Sequence, residues 1–253
     1  MKERAIIFDL DGTALNSPTQ KMPSVKLVDA IAQLEETYYL SSATGRVWSF
    51  AKPVLQGMHL VDPCIISAGT QICNPVTGKI LWQKVIAEKA LKEVLSVFRQ
   101  YPDYKLLHND GTEEDYFHGG VNPQNFIAQE PVYFLEQVFV PDTTAVEIYG
   151  KLGTIDGVTC VMVIAQKPGT RDLHIVNAAA TKEHAVAELL KLLKVEKCNA
   201  IGIGDSHNDL NLFNAVGYKV AVNNAIPELK SIADKVIGSV AEDGMADYLL
   251  SLL

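Results

Sequence analysis

From Ala5 the chain runs apolar to Phe8 and then meets Asp9-Leu10-Asp11-Gly12-Thr13. A short continuous apolar run closed by turn residues predicts a strand buried on both faces. Residues 10–22 are rich in Gly, Asn, Ser and Pro and predict a loop or small hairpin. Leu27, Ala30, Ile31 and Leu34 recur at helical spacing. YYLSSATGR predicts a second strand ending in small polar residues, with a helix from Arg46. CIISAG predicts a third strand, and ICNPVTGKILW a hairpin. From about Val85 the texture changes. One helix is predicted through Leu91, Val94, Leu95 and Phe98, followed by strand-like pieces at KLLH, AVEIYG and VTCVMVIA with polar loops such as HNDGTEEDYFHGGVNPQN between them. After Lys167-Pro168-Gly169 the first texture returns. LHIVN predicts a strand, Thr181 caps a helix with Val186, Leu189, Leu190 and Leu193 on one face, and NAIGIGD and YKVAV predict strands. A last helix is expected to bury Ala246, Leu249, Leu250 and Leu253. Alternating strand and helix predicts a parallel sheet covered on both faces, with the middle segment inserted into it.

Beyond the carboxyl ends of such strands lies the usual ligand edge of an open α/β sheet. Four polar clusters fall there: Asp9-Leu10-Asp11, Thr44-Gly45-Arg46, Thr181-Lys182 and Gly204-Asp205-Ser206-His207-Asn208-Asp209. Aspartates this close need a cation among them or a retained proton. Oxygen-only ligands suit Mg²⁺. Lys182, the cation, and main-chain N–H groups of the Asp11-Gly12-Thr13 turn and near Thr44 suit a phosphate group. Asp9 can then attack phosphorus, and Asp11 can protonate the leaving oxygen and activate water. Taken singly, these residues have plainer readings. Asp-x-Asp-Gly is a common turn, Thr44 a helix cap, Lys182 a solvated charge, and Asp205 and Asp209 acids at a helix start. Arg46 is read equally as a phosphate ligand and as the partner of a carboxylate. His207, His108 and His118 lack metal-ligand spacing. Glu113 to Asp115 reads as a solvated face, and Trp48 and Trp82 as packing residues.

Composition narrows the picture. The 253 residues are 48% hydrophobic and 21% charged, as in a globular chain, and 22 basic against 30 acidic residues give a net charge of −8. That balance argues against nucleic acid or an anionic membrane surface as the partner. Cys64, Cys73, Cys160 and Cys198 form no CxxC pair and are expected to be buried thiols in a reducing compartment. No apolar run reaches signal-peptide or membrane length, so a soluble cytoplasmic protein is expected.

The four clusters, in this order, resemble the motifs of the haloacid-dehalogenase-like (HAD) phosphohydrolases: DxDxT at Asp9 to Thr13, a strand-end Thr at Thr44, a Lys at Lys182, and GDxxND at Gly204 to Asp209. The long insertion between the second and third motifs resembles the Cof-type subgroup with a type IIB α/β cap, as does the tail VAVNNAIPELKSIADKVIGSVAEDGMADYL. The resemblance implies a Rossmann-like parallel-sheet core over 1–84 and 170–253, with a cap over 85–169 that closes over the site. It implies Asp9 as nucleophile and Asp11 as general acid/base, with Thr44 and Lys182 on the phosphoryl oxygens. Mg²⁺ would be held by Asp9, the Asp11 main-chain carbonyl and Asp205, with support from Asp209. Gly12, Thr13, Gly45, Arg46 and Asn208 would line the phosphate. The subgroup often carries Met-Gly before its closing Asn-Ala, and here Val222-Asn223 stands before Asn224-Ala225, which leaves a role for Asn224 open. The expected reaction is hydrolysis of a small phosphate monoester, a sugar phosphate or similar metabolite, by a monomer or small homo-oligomer. A phosphomutase such as a phosphomannomutase, or a non-catalytic sensor of phosphometabolites, are the alternatives.

Overall fold

In a computed structural model, which describes residues 2–16 and 22–253, the chain begins with β1 (Arg4–Phe8), α1 (Val25–Leu34), β2 (Tyr38–Ser42), α2 (Trp48–Gly57), β3 (Cys64–Ile66), β4 (Gln71–Cys73) and β5 (Ile80–Gln83). It continues through α3 (Glu88–Phe98), β6 (Leu106–His108), α4 (Glu113–Phe117), β7 (Phe134–Pro141), α5 (Asp142–Leu152), β8 (Val158–Ile164) and β9 (Thr170–Asn177). It closes with α6 (Lys182–Leu193), β10 (Ala200–Gly204), α7 (Asp209–Ala215), β11 (Tyr218–Val222), α8 (Pro227–Ser231), β12 (Lys235–Ile237) and α9 (Gly244–Leu250). Two compact units result, one of Met1–Trp82 with Thr181–Leu253 and one of Gln83–Ala180.

The first unit is built on a parallel sheet in the order β12-β11-β10-β1-β2. The apolar run Ala5 to Phe8 is wholly buried because β1 lies between β10 and β2 and is covered on both faces. All five strands point the same way, so β1, β2 and β10 deliver the residues that follow them to one edge. The small antiparallel set β3-β4-β5 adjoins β2 through a parallel bridge between Ala43 and Ile65. The expected hairpin is present: Asn74 and Lys79 are joined through N–H and carbonyl at 2.8 Å. Trp48 and Trp82 pack against this unit's core. The expected loop over 10–22 lies at 17–21 outside the described residues.

The second unit is a four-stranded antiparallel sheet, β6-β7-β9-β8, with α3 and α5 packed on it. Here the sequence expectations need correcting. AVEIYG is not a strand; it is the middle of α5, where Ala145, Ile148 and Leu152 form the buried stripe at helical spacing. Its β-branched and aromatic residues mislead because they are the side chains favoured in strands. β7, eight residues long like β9, lies outside every expected strand. LHIVN is a strand, but it pairs with β7 and β8, so the chain returns to the first unit at Thr181 and not at residue 170. The polar loop contains α4, started by a capping box in which Thr112 and Asp115 satisfy each other's backbone donors.

Two smaller expectations also fail. Leu253 is 68% exposed, beyond the end of α9. Of the cysteines, Cys64 and Cys73 are buried, with thiols pushed up by burial to about 11 and about 12, whereas Cys160 is half-buried and Cys198 exposed. Among the described residues no helix is long and apolar enough to cross a membrane.

Candidate active site

Asp9 follows the last residue of β1 and is 4% exposed; its N–H donates to the Ile203 carbonyl at 3.0 Å, so the strand ladder itself fixes it. Lys182 opens α6, whose start is set by the Thr181 hydroxyl accepting from the His184 N–H. Its ammonium, also 4% exposed, donates to Asp9 Oδ1 and to Asp209 Oδ1, each at 2.7 Å. Asp209 is fully buried, and its other oxygen accepts from the Asp205 and Ser206 N–H groups at 3.0 Å each. That carboxylate therefore does two jobs: it closes the loop after β10 and it anchors the lysine.

Asp205 lies between this group and the first turn, accepting from the Thr13 hydroxyl at 3.1 Å. The turn needs Gly12, which has φ +85°; a Cβ there would come within 2.3 Å of Asp205 Oδ2. Asp11 turns its carboxylate to Arg46, which grips both oxygens through Nε and Nη2 at 3.0 and 2.5 Å. The Thr44 hydroxyl, fully buried, accepts from the Arg46 N–H at 3.1 Å. Arg46 thus has a carboxylate partner in this structure. Gly45 has open space where a Cβ would stand. The Asn208 side chain accepts from the Ser206 hydroxyl at 2.7 Å.

Oxygens of Asp9, Asp205 and Asp209 lie within 4.8 Å of one another. Burial is the main reason that the Asp9 carboxyl is pushed well above the usual carboxylate range, with Asp209 and Asp205 adding to it and Lys182 opposing it. Burial followed by the charge of Asp209 pushes Asp205 up to about 6. Burial disfavours the Lys182 ammonium, but the charges of Asp209 and Asp9 outweigh it and raise its pKa. One ammonium thus faces three carboxylates at close range. A hard divalent cation with oxygen ligands answers both the donor type and the surplus charge, so these residues fit Mg²⁺.

Two contributors lie outside the four motif clusters. Asn224 donates from Nδ2 to the Gly12 carbonyl at 2.8 Å and accepts at Oδ1 from the Val240 N–H at 2.9 Å. The neighbouring Ile226 N–H donates to the Asp205 carbonyl at 2.9 Å. The loop after β11 therefore ties both acidic turns together. The second contributor is the segment after β3, where Ser67, Ala68 and Gly69 have φ of 52°, 57° and 93°. Two non-glycine residues in the left-handed region carry strain of the kind often kept at functional sites. The segment gains the Ser67 N–H to Arg46 carbonyl bond at 2.7 Å. Gly69 lies so close to the start of α6 that a Cβ would come within 2.9 Å of the Thr181 carbonyl carbon.

Comparison with known proteins follows the same lines. Residues 6–249 match the family described as haloacid dehalogenase-like hydrolase. The 5-amino-6-(5-phospho-D-ribitylamino)uracil phosphatase YwtE of Bacillus subtilis is 26% identical over 99% of this chain and 98% of its own. Phosphoglycolate phosphatase 1 of Saccharolobus solfataricus is 42% identical, but over 32% of this chain and 36% of its own length, so the chain matches about a third of that relative. The solved structure of BT4131, a HAD subclass IIB sugar phosphatase, shares the fold with a TM-score of 0.72 at 17% identity over 98% of each chain. The match across nearly the whole chain places this protein among the haloacid dehalogenase-like hydrolases.

Proposed function

We propose that this protein is a Mg²⁺-dependent phosphatase that hydrolyses small phosphate monoesters, sugar phosphates or related metabolites, through a phospho-aspartate on Asp9. The observation that carries the reading is the buried Lys182 ammonium bridging Asp9 and Asp209 at 2.7 Å each, beside Asp205. A phosphoryl dianion brought to this edge meets a fixed cation and a carboxylate pinned at a strand end. In the first step an Asp9 oxygen attacks phosphorus in line with the leaving oxygen, the P–O bond to that oxygen breaks, and Asp11 supplies the proton the alcohol needs. In the second, water attacks the phosphorus of the acyl-phosphate, Asp11 takes its proton, and Asp9 is released as the carboxylate. Arg46 grips both Asp11 oxygens in this structure, so one of them must leave the guanidinium before Asp11 carries the proton; Thr44 holds Arg46 by its backbone. Mg²⁺ held by Asp9, the Asp11 carbonyl and Asp205, with Asp209 behind them, would offset the charge that gathers on the phosphoryl oxygens.

The relatives' names support the reaction class, since both relatives are phosphatases of small molecules. The net charge of −8 supports a metabolite over nucleic acid as the partner. A phosphorylated metabolite as substrate supports a cytoplasmic location. The test is phosphate release from a panel of phosphorylated metabolites, with Mg²⁺ and with chelator, for wild type beside Asp9→Asn. Metal-dependent release that Asp9→Asn abolishes is expected. Full release by the variant would overturn the mechanism, and isomerised product without free phosphate would make the protein a mutase.

A further inference from the structure

The antiparallel sheet of the second unit has two edges, and they are treated differently. β6 is three residues long, and Leu106 and Val121 exchange both backbone hydrogen bonds along its outer side, at 2.9 and 2.8 Å. β8 is seven residues long, VTCVMVI, without a charge or a proline, and among the described residues no strand pairs with its outer side. Val161 and Ile164 are 47% and 80% exposed on it. Protein sheets ordinarily protect such an edge by shortness, charge, proline, a bulge or a covering segment. The edges of the parallel sheet follow that rule: β12 is three residues long and β2 is bridged to β3.

The helix layer ends in the same way beside the same strand. α5 packs on β8 and β9 through Ala145, Ile148 and Leu152. Glu147 and Lys151 touch Tyr101, just past the end of α3, at 2.6 and 2.5 Å, so that flank of α5 faces α3. At about 100° per residue, Val146 and Tyr149 then fall on the opposite flank. They are 59% and 43% exposed, and Gly150 next to them has open space where a Cβ would stand.

We propose that the outer edge of β8 and the outer flank of α5 form a self-association surface whose partner is a second copy of this chain. A two-fold axis perpendicular to the sheet pairs β8 antiparallel with its mate and keeps both α5 helices on the same face. Strand layer and helix layer then both continue across the axis, which an isolated peptide strand would not achieve. Charge favours the same arrangement. The strand carries none, Asp156 precedes it and Lys167 follows it, so antiparallel pairing sets the acidic entry of one copy beside the basic exit of the other. A seven-residue edge and one helix flank make a small interface, so a dissociation constant on the order of micromolar is expected.

The test is sedimentation velocity of the full chain over a concentration series, for wild type, Val161→Lys, Val161→Glu and Tyr149→Glu. In two-fold pairing residue 161 meets itself or lies diagonal to itself, so like charges there repel. Wild type should show a monomer–dimer equilibrium. Each variant alone should dissociate at least about tenfold more readily. An equimolar mixture of Val161→Lys and Val161→Glu should recover the dimer, which chains that had failed to fold would not do. A wild type that stays monomeric throughout, a dimer indifferent to all three substitutions, or a mixture that does not recover would each overturn the proposal.

Discussion

Each unit gathers ionisable side chains on its sheet, and the two gatherings differ in how their charge is answered. In the second unit Glu136, Asp172 and His174 bring ligand atoms within 4.8 Å of one another. Each acid there has its own donor: His174 Nε2 lies 2.8 Å from Glu136, and Asp172 accepts from the Tyr116 hydroxyl at 2.5 Å and the Phe139 N–H at 2.8 Å. In the first unit a single ammonium serves Asp9 and Asp209, and the Asp205 carboxylate has the Thr13 hydroxyl. The cluster of the second unit completes itself. That of the first unit keeps a surplus of buried negative charge, which folding alone does not reward. Surplus charge of this kind is a mark of chemistry, because a substrate or ion supplies what the chain withholds.

Four substitutions test the difference between the two clusters. The largest effect is expected from Asp9→Asn, which keeps the shape of the side chain and removes the proposed nucleophile; phosphate release should fall by roughly a thousandfold or more, while circular dichroism stays that of wild type. Next comes Lys182→Met. It leaves two buried carboxylates without their cation and should cost about 3–5 kcal/mol in urea unfolding with chelator present, part of which Mg²⁺ should return. A cost within that of one neutral hydrogen bond, about 1 kcal/mol, would show that the two clusters are alike. Third, Asn224→Ala removes the donor to the Gly12 carbonyl, and turnover should fall about tenfold through misplacement of the Asp11 turn; unchanged turnover would make Asn224 a surface contact only.

The smallest effect lies in the second unit. Burial disfavours His174⁺, but Glu136 outweighs it and holds the imidazole pKa above 6.5. A folded-state pKa raised in this way adds stability that is complete below pH 6.5 and is lost as pH rises through the raised value. Glu136→Gln should erase that contribution, and the His174 ring resonances followed by NMR should titrate lower in the variant than in wild type. Identical titrations would mean that Glu136 does not answer the histidine's charge.

Much of the catalytic edge is legible in the sequence because its residues follow strands with unmistakable patterns. The unbroken apolar run before Asp9 and the apolar strand before Asp205 fix both positions, and the Thr181 cap fixes Lys182 at the head of a helix. What escapes is set by distance and by backbone. Asn224 stands 212 residues from Gly12 along the chain, and only the parallel sheet brings them together. Ser67 and Ala68 adopt positive φ with no glycine at either position to announce it. In the second unit, α5 carries the side chains of a strand, and its helical spacing is visible only once Ala145, Ile148 and Leu152 are seen to share a buried face.

Covalent phosphorylation of Asp9 can be caught by rapid acid quench of the enzyme turning over a substrate found in the metabolite panel, followed by peptide mass spectrometry. A transient phosphoryl group is expected on the peptide that carries Asp9, labile to hydroxylamine as an acyl-phosphate is and absent from Asp9→Asn. Phosphate release at the wild-type rate with no such adduct at any quench time, or an adduct on another residue, would contradict it.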